Sequence, residues 1–278
     1  MSVLNHKIDF AVLVSVNMAN SNGDPLNGNR PRTDYNGYGE ISDVCIKRKI
    51  RNRLQDLGQR IFVQSDDRCD DGFKSLSDRA SKTLPKTKDR EEYARLACEQ
   101  WMDVRTFGQV FAFKTDSVSV GVRGPVSIHQ AVSVSPIEIN SIQITKSVNS
   151  ETSDKRSSDT MGTKHMVRFG LYVIKGSINV QLAEKTGFTE EDAALIKECL
   201  RTLFENDASS ARPEGSMEVC QVYWWEHNCA VGQYSSAKVH RSLKITAKDG
   251  VEIPSSADDY CIALEELPGL SCEIIDGI

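Results

Sequence analysis

Between Asn20 and Leu57 a loop rich in Asn and Gly runs directly into a basic amphipathic helix, and this junction constrains the fold more than any other stretch. Ser42 is a good N-cap, Asp43 suits the positive end of the helix dipole and Gly58 supplies a stop, so the spacing predicts a helix over 43–57. Ile46, Ile50, Leu54 and Leu57 recur every three or four residues and must face a core, which leaves the cations facing elsewhere. From Ile41 to Arg60 there are six basic and two acidic residues, a local balance of +4 in a chain whose total is −5. Long cations beside a Gly-rich loop have the chemistry to hold phosphates, because the cations neutralise charge and glycine lets the backbone approach closely. The same pattern also describes a helix whose charged face merely meets water.

With 278 residues, 26% of them charged and 39% hydrophobic, the chain can bury one large core or two smaller ones. Its acidity excludes a surface that coats nucleic acid all over, so a polyanion has to be held in a local groove. None of the eight cysteines falls in a C-x-x-C pair and the N-terminus has no apolar run with a cleavage site. The expectation is reduced thiols in a cytoplasmic protein, without a zinc cage or a disulfide frame. No apolar stretch approaches the roughly 18 residues that a membrane span requires.

In chain order, Ile8, Phe10, Val12, Val14, Val16 and Met18 alternate with a weakly apolar second face and predict a strand. Residues 64–90 carry no apolar period and read as a mobile polar insertion, whereas Glu91–Met102 has helical spacing through Tyr93, Leu96, Ala97 and Trp101. Alternation at Val118–Val122 and again at Val126–Val134 predicts strands, with Pro125 at a strand start. Two further alternating runs, Ile139–Ile144 and Met166–Ile174, flank a polar segment and describe a long projecting hairpin. Thr189 with acidic residues behind it opens a helix whose buried side is Ile196, Cys199, Leu200, Leu203 and Phe204. Strands are then expected at Val219–Trp225 and Lys238–Thr246, the latter turning at Asp249-Gly250. The order strand, helix, strand, strand, helix, strand is that of an α+β, ferredoxin-like or RRM-like palm with large insertions.

No catalytic constellation emerges. The five histidines form no H-E-x-x-H or His/Cys cluster, and neither a P-loop nor a G-x-S-x-G is present. Trp224 and Trp225 could stack bases, but as neighbours in a strand they point to opposite faces, so at least one belongs to a core.

Six ordered blocks then carry a resemblance. Asn22-Gly23-Asp24-Pro25, Asn29-Arg30-Pro31-Arg32-Thr33-Asp34, Ser42 to Arg51, Asp103-Val104-Arg105-Thr106-Phe107-Gly108, Arg123-Gly124-Pro125-Val126 and Met161-Gly162-Thr163-Lys164-His165 span nearly the whole chain. Together they resemble the guide-RNA-binding backbone subunit of the type I-C CRISPR surveillance complex (Cascade), a member of the RAMP superfamily. The resemblance implies a single domain over 1–278 with an RRM-like palm, a finger-like insertion over 64–102 and a thumb hairpin over 141–168. It implies several copies stacked head to tail along one crRNA, whose bases stay free to pair with target DNA. Other Cascade subunits and a recruited helicase-nuclease are the further partners, with no membrane, metal or cofactor. Carried onto this sequence, RNA contact falls to Asn29, Arg30, Arg32, Ser42, Lys47, Arg48, Lys49, Arg51, Arg105, Arg123, Lys146, Met161, Lys164, His165 and Arg168. No catalytic residue is implied. Two rival readings stand beside it: an RNA-cleaving RAMP subunit using the loop aspartate Asp34, and a stand-alone RRM-like RNA-binding protein.

Overall fold

The computed structural model describes residues 2–113, 119–145 and 161–278. The N-terminal alternation forms β1 (Ile8–Ala19), after which β2 (Gly23–Asp24) and β3 (Arg30–Pro31) pair across the Asn/Gly loop. β4 (Tyr38–Ile41) leads into α1 (Asp43–Asp56). The Ser42 hydroxyl accepts from the Cys45 amide at 3.2 Å, and Gly58 in the left-handed region at φ +77° closes the helix. Three helices follow: α2 (Leu76–Thr83), α3 (Arg90–Gln100) and α4 (Met102–Phe107). Next come β5 (Gly108–Phe111), β6 (Val120–Arg123), β7 (Val126–Ile128), β8 (Ala131–Pro136), β9 (Ile139–Thr145) and β10 (Met161–Ile178). The chain ends with α5 (Val180–Thr186), α6 (Glu190–Arg201), β11 (Met217–Glu226), α7 (Ser236–Ser242), β12 (Leu243–Ala247), β13 (Tyr260–Leu264) and β14 (Cys272–Asp276).

The main sheet runs β14-β11-β1-β10-β8-β4 with antiparallel neighbours, and β7 and β9 also pair with β10. β1 is buried on both faces because both are covered. Phe10, Val12, Val14 and Val16 meet Ile46, Ile50 and Leu54 of α1 and Ile196, Cys199 and Leu200 of α6. On the other face, Ala11 and Leu13 join Tyr223, Trp225, Val239 of α7, Leu243 of β12 and Tyr260 of β13. Each large aliphatic side chain buried this way contributes about 1.5–3 kcal/mol, so the two-sided cover fixes the register of β1 firmly. The histidines in this region serve the packing. His227 Nδ1 accepts from the Gln233 amide at 2.9 Å, so its proton lies on Nε2 facing Asp9 Oδ2 at 2.9 Å, and His240 Nε2 lies 3.1 Å from the Gly176 carbonyl oxygen.

Several expectations change. Both tryptophans are buried, Trp224 against Phe10 and Trp225 beside Tyr223, because helices and strands cover both sheet faces; neither can stack a base. Residues 64–90 pack into the fold, since Ala80 of α2 and Leu84 just after it enter a second core with Phe62, Trp101 and Phe111. The buried Arg79 guanidinium stands in for the missing apolar period by donating to the Phe62 carbonyl at 2.7 Å and to both oxygens of Asp71. Residues 238–242 are helical, because the Ser235 hydroxyl caps α7 and Val239 and His240 turn inward. Met18 leaves the alternation at φ +50° and stands partly exposed, and Leu57 at the end of α1 is likewise only partly covered. The segment from Pro254 onward finishes the sheets, with β13 on β12 and β14 on β11.

The Asp103–Gly108 and Arg123–Val126 blocks dock on each other through backbone. Gly108 adopts φ +83°, and a Cβ there would strike the Val122 carbonyl oxygen, while one at Gly124 would strike that of Thr106. Gly108→Ala is therefore expected to lower stability by about 3 kcal/mol in chemical denaturation. The hydrogen bond from Arg79 holds the Asp71 carboxyl below its ordinary value of 3.8. Since a depressed folded value stabilises above the unfolded one, amide protection factors in 64–83, corrected for the intrinsic rate, should fall as pH drops below 3.8, and Asp71→Asn should remove that step.

Candidate nucleic-acid interface

The cations of α1 divide into two kinds. Lys49 is buried and paired with Asp207, which also accepts from Arg212 Nε at 3.1 Å. Burial pulls the Lys49 ammonium below its ordinary value against the opposing pull of Asp207. Arg53, also buried, holds Asp56, Glu205 and the Thr202 hydroxyl. Arg51 Nε donates to Asp103 Oδ2 at 2.9 Å, and that buried carboxylate also accepts from the Phe62 and Val63 amides at 2.7 and 3.1 Å. Arg48 donates to the Val63 carbonyl at 2.6 Å, and burial together with the nearby Arg51 charge lowers its pKa. The expectation that the helix cations all face away from the core is thus corrected: a helix packed on a sheet and flanked by α4 and the 205–212 loop has too little free perimeter for five cations. Lys47, in an i,i+4 pair with Asp43 at 2.9 Å, is half-buried and makes no tie to another element in this pair.

Arg105 is also engaged, with a two-pronged contact to Asp192 at 2.8 Å on each oxygen. Asp192 completes the capping box of α6 by accepting from the Thr189 amide at 3.0 Å, so Arg105 ties α4 to the start of α6. Arg123 on β6 is exposed and has no ion-pair partner among the described residues.

The Asn/Gly loop is held from inside and leaves its cations outside. Asn20 Nδ2 donates to the Asn29 carbonyl at 2.6 Å, the Ser42 amide to Asn22 Oδ1 at 2.9 Å, and the Arg32 amide to the Asn22 carbonyl at 3.1 Å. Asn29 itself is exposed in the left-handed region at φ +58°. Asp34 Oδ1 accepts from the Asn36 and Tyr38 amides at 2.9 and 2.8 Å and so shapes the turn before β4. Arg30 reaches the hairpin: Nη1 is 3.1 Å from Ser141 Oγ and 3.4 Å from His165 Nδ1, and those two are 2.9 Å apart.

The hairpin pairs Met161 with Thr145 through Val167 with Ile139. β10 then continues into the main sheet, pairing with β1 from Val167 to Ile178, so one unbroken strand joins the projecting arm to the core. Strand alternation puts Lys164 on the face opposite His165. Arg168 is 65% exposed and 3.0 Å from Glu138, while Ile142, Ile144 and Met161 stand exposed along the arm. Lys146 lies outside the described residues. The structure therefore brings Arg30 to Ser141 and His165 at the hairpin base, with Asn29 and Arg32 on the adjoining loop, while Lys164 leaves the opposite face of the hairpin and Arg168 pairs with Glu138 further along β10. It places Lys49, Arg51 and Arg105 in internal ties. Sequence reasoning missed Ser141 and Glu138 as partners of these cations; the alternation of β9 marked Ser141's strand, but nothing local marked its partners.

Two substitutions on one helix separate the two kinds of cation. Arg51→Ala leaves the buried Asp103 carboxylate without its counter-charge and should cost about 3 kcal/mol of unfolding free energy. Lys47→Ala, removing a half-buried i,i+4 pair within one helix, should change it by about 0.5 kcal/mol or less.

Comparison with known proteins adds the following. Residues 6–265 match a family model described as "CRISPR-associated protein Cas7". A relative of that same description from Haloferax volcanii is 25% identical over 214 residues, which cover 69% of this chain and 63% of that protein. Thus the chain spans less than two thirds of that relative's length. A chain of a solved structure titled "CRISPR RNA-guided surveillance complex, pre-nicking" shares the fold at TM-score 0.51 and 17% identity, covering 79% of this chain and 75% of that one. Another, titled "CRISPR RNA-guided surveillance complex", gives TM-score 0.48 at 16% identity, with 79% and 68% covered.

Proposed function

This chain belongs to the Cas7 family, and from that premise we propose that it is the non-catalytic crRNA-binding backbone subunit of a type I-C Cascade complex in the cytoplasm. Several copies assemble head to tail along the spacer and present its bases to target DNA, other Cascade subunits cap and complete the particle, and a helicase-nuclease is recruited for cutting. The observation that carries the reading is the junction of loop and hairpin, where Arg30 bridges to Ser141 and His165 and where Arg32, Lys164 and Arg168 present charge to solvent.

The chemistry fits sequence-independent gripping. Both sheet faces are covered and Trp224 and Trp225 are buried, so the described fold offers no tryptophan platform on the sheet, and contact falls to long cations and loop amides. Such groups hold sugar-phosphate whatever the base, leaving Watson–Crick edges to read the target. The strand order β11-β1-β10-β8, with α1 and α6 on one face, supports a ferredoxin-like palm, and β9 with the start of β10 supports the thumb. A heterologous contact that does not close generates a filament, and summing a few phosphate contacts per copy gives tight binding.

Two measurements test this. Electron microscopy of the protein expressed with its guide RNA should show protomers at a fixed nucleotide interval; discrete RNA-free particles would refute the scaffold reading. Arg30→Ala with Lys164→Ala should weaken binding to all spacers alike and reduce the salt slope by about 0.7 for each single-strand phosphate no longer neutralised. A preference for one spacer over another would contradict phosphate gripping.

A further inference from the structure

The ion pairs of this protein fall into two populations that differ in what they can be for. The Arg51–Asp103, Lys49–Asp207 and Arg105–Asp192 pairs are largely withdrawn from water and each joins separate elements. The pairs around the loop and hairpin base are more open to water, the Arg32 and Asp24 side chains being 38% and 28% exposed. Arg32 Nη2 lies 3.5 Å from Asp24 Oδ1, and Arg168 Nη1 lies 3.0 Å from Glu138 Oε2 with the two side chains 65% and 49% exposed.

Neither exposed pair is needed to hold the backbone. Arg32 is fixed by its amide to the Asn22 carbonyl and by the Glu40 amide to its own carbonyl, and Arg168 by its amide to the Glu138 carbonyl at 2.9 Å. Exposed pairs of this kind contribute little to stability, and each carboxylate also repels a phosphate approaching its partner. A weak pair can be exchanged for a phosphate, but at a cost repeated in every subunit.

We propose that Asp24 and Glu138 are specificity-determining residues of the RNA surface: they occupy Arg32 and Arg168 and so disfavour stray single-stranded RNA on the free subunit. The inference rests on the scaffold reading above. A surface that grips any phosphate chain has no base-reading step with which to reject the wrong RNA, so rejection has to come from the strength of each single-subunit encounter. Lowering that strength leaves isolated encounters short-lived. Assembly of neighbouring copies on one guide overcomes the same cost, because each added copy binds at high effective concentration. Lys47–Asp43 has the same geometry, but Asp43 also stabilises the first turn of α1, so its replacement would confound the test.

The test uses the full chain and a single-stranded oligouridylate, with affinity measured by fluorescence anisotropy across a salt series. In Asp24→Asn with Glu138→Gln, both charges are lost while an oxygen remains to accept from the Leu26 amide, as Asp24 Oδ1 does at 3.2 Å. The double variant should bind about fivefold more tightly, with a salt slope steeper by about 0.7 for each additional phosphate neutralised. Glu265→Gln, which removes the same charge from the exposed Lys244–Glu265 pair on the β12–β13 ladder, should leave affinity unchanged. Salt-dependent binding by the unaltered protein with no gain in the double variant would overturn the proposal, as would an equal gain in Glu265→Gln. Absence of binding by every variant at low salt would instead bring down the scaffold reading itself. Glu138→Gln alone, expected to bind about twofold more tightly, serves if circular dichroism finds the double variant unfolded.

Discussion

The buried carboxylate of Asp103 is the interaction on which the rest of the architecture hangs. It sits on a short helix whose neighbouring side chains go to different cores, Met102 to the main one and Val104 to the second. By accepting from the Phe62 and Val63 amides and from Arg51, it joins the end of the basic helix, the chain leaving that helix and the inserted helices in one electrostatic knot. A carboxylate this far from water is tolerable only with its lone pairs met and a cation beside it. That requirement explains why a helix dense in positive charge lies against the body of an acidic protein: much of its charge is spent inward.

A second constraint is the continuity of β10. Its 18 residues begin as the returning limb of the hairpin and end in the centre of the main sheet, so the arm inherits its direction from the most deeply buried part of the molecule. The loop before α1 is pinned to the same strand by Arg30 at His165. Loop and arm are thereby held at one place on the sheet, with cations that cannot be absorbed by a core facing solvent. On the proposed function, this placement is what presents long cationic side chains to a phosphate chain.

The sheet strands and the amphipathic helices were legible wherever one or two residues of regular spacing sufficed. Period two marked β1 and the two limbs of the hairpin, and capping residues with three- and four-residue spacing marked α1 and α6. The stretch from 64 to 90 was not legible, because its order depends on Arg79, a charged residue buried only because Asp71 and the Phe62 carbonyl meet it there. The helix at 236–242 was missed for a related reason: seven residues carry too short a period to outweigh the strand-like run that follows.

The candidate site divides along the same line. From sequence alone came the local facts: a positive helix, a loop with donors, an arm with a polar tip, and ordered blocks resembling a guide-RNA-binding family. Which cations are free was decided only by tertiary structure. Lys47, Lys49 and Arg51 are nearly adjacent in sequence and equally charged, yet one is half-buried on its own helix beside Asp43, one is buried against Asp207 and one is spent on Asp103. Local spacing fixes the direction in which a side chain leaves its helix, whereas the carboxylates that claim it come from residues 52 and 158 positions away, brought near only by the closing of the fold.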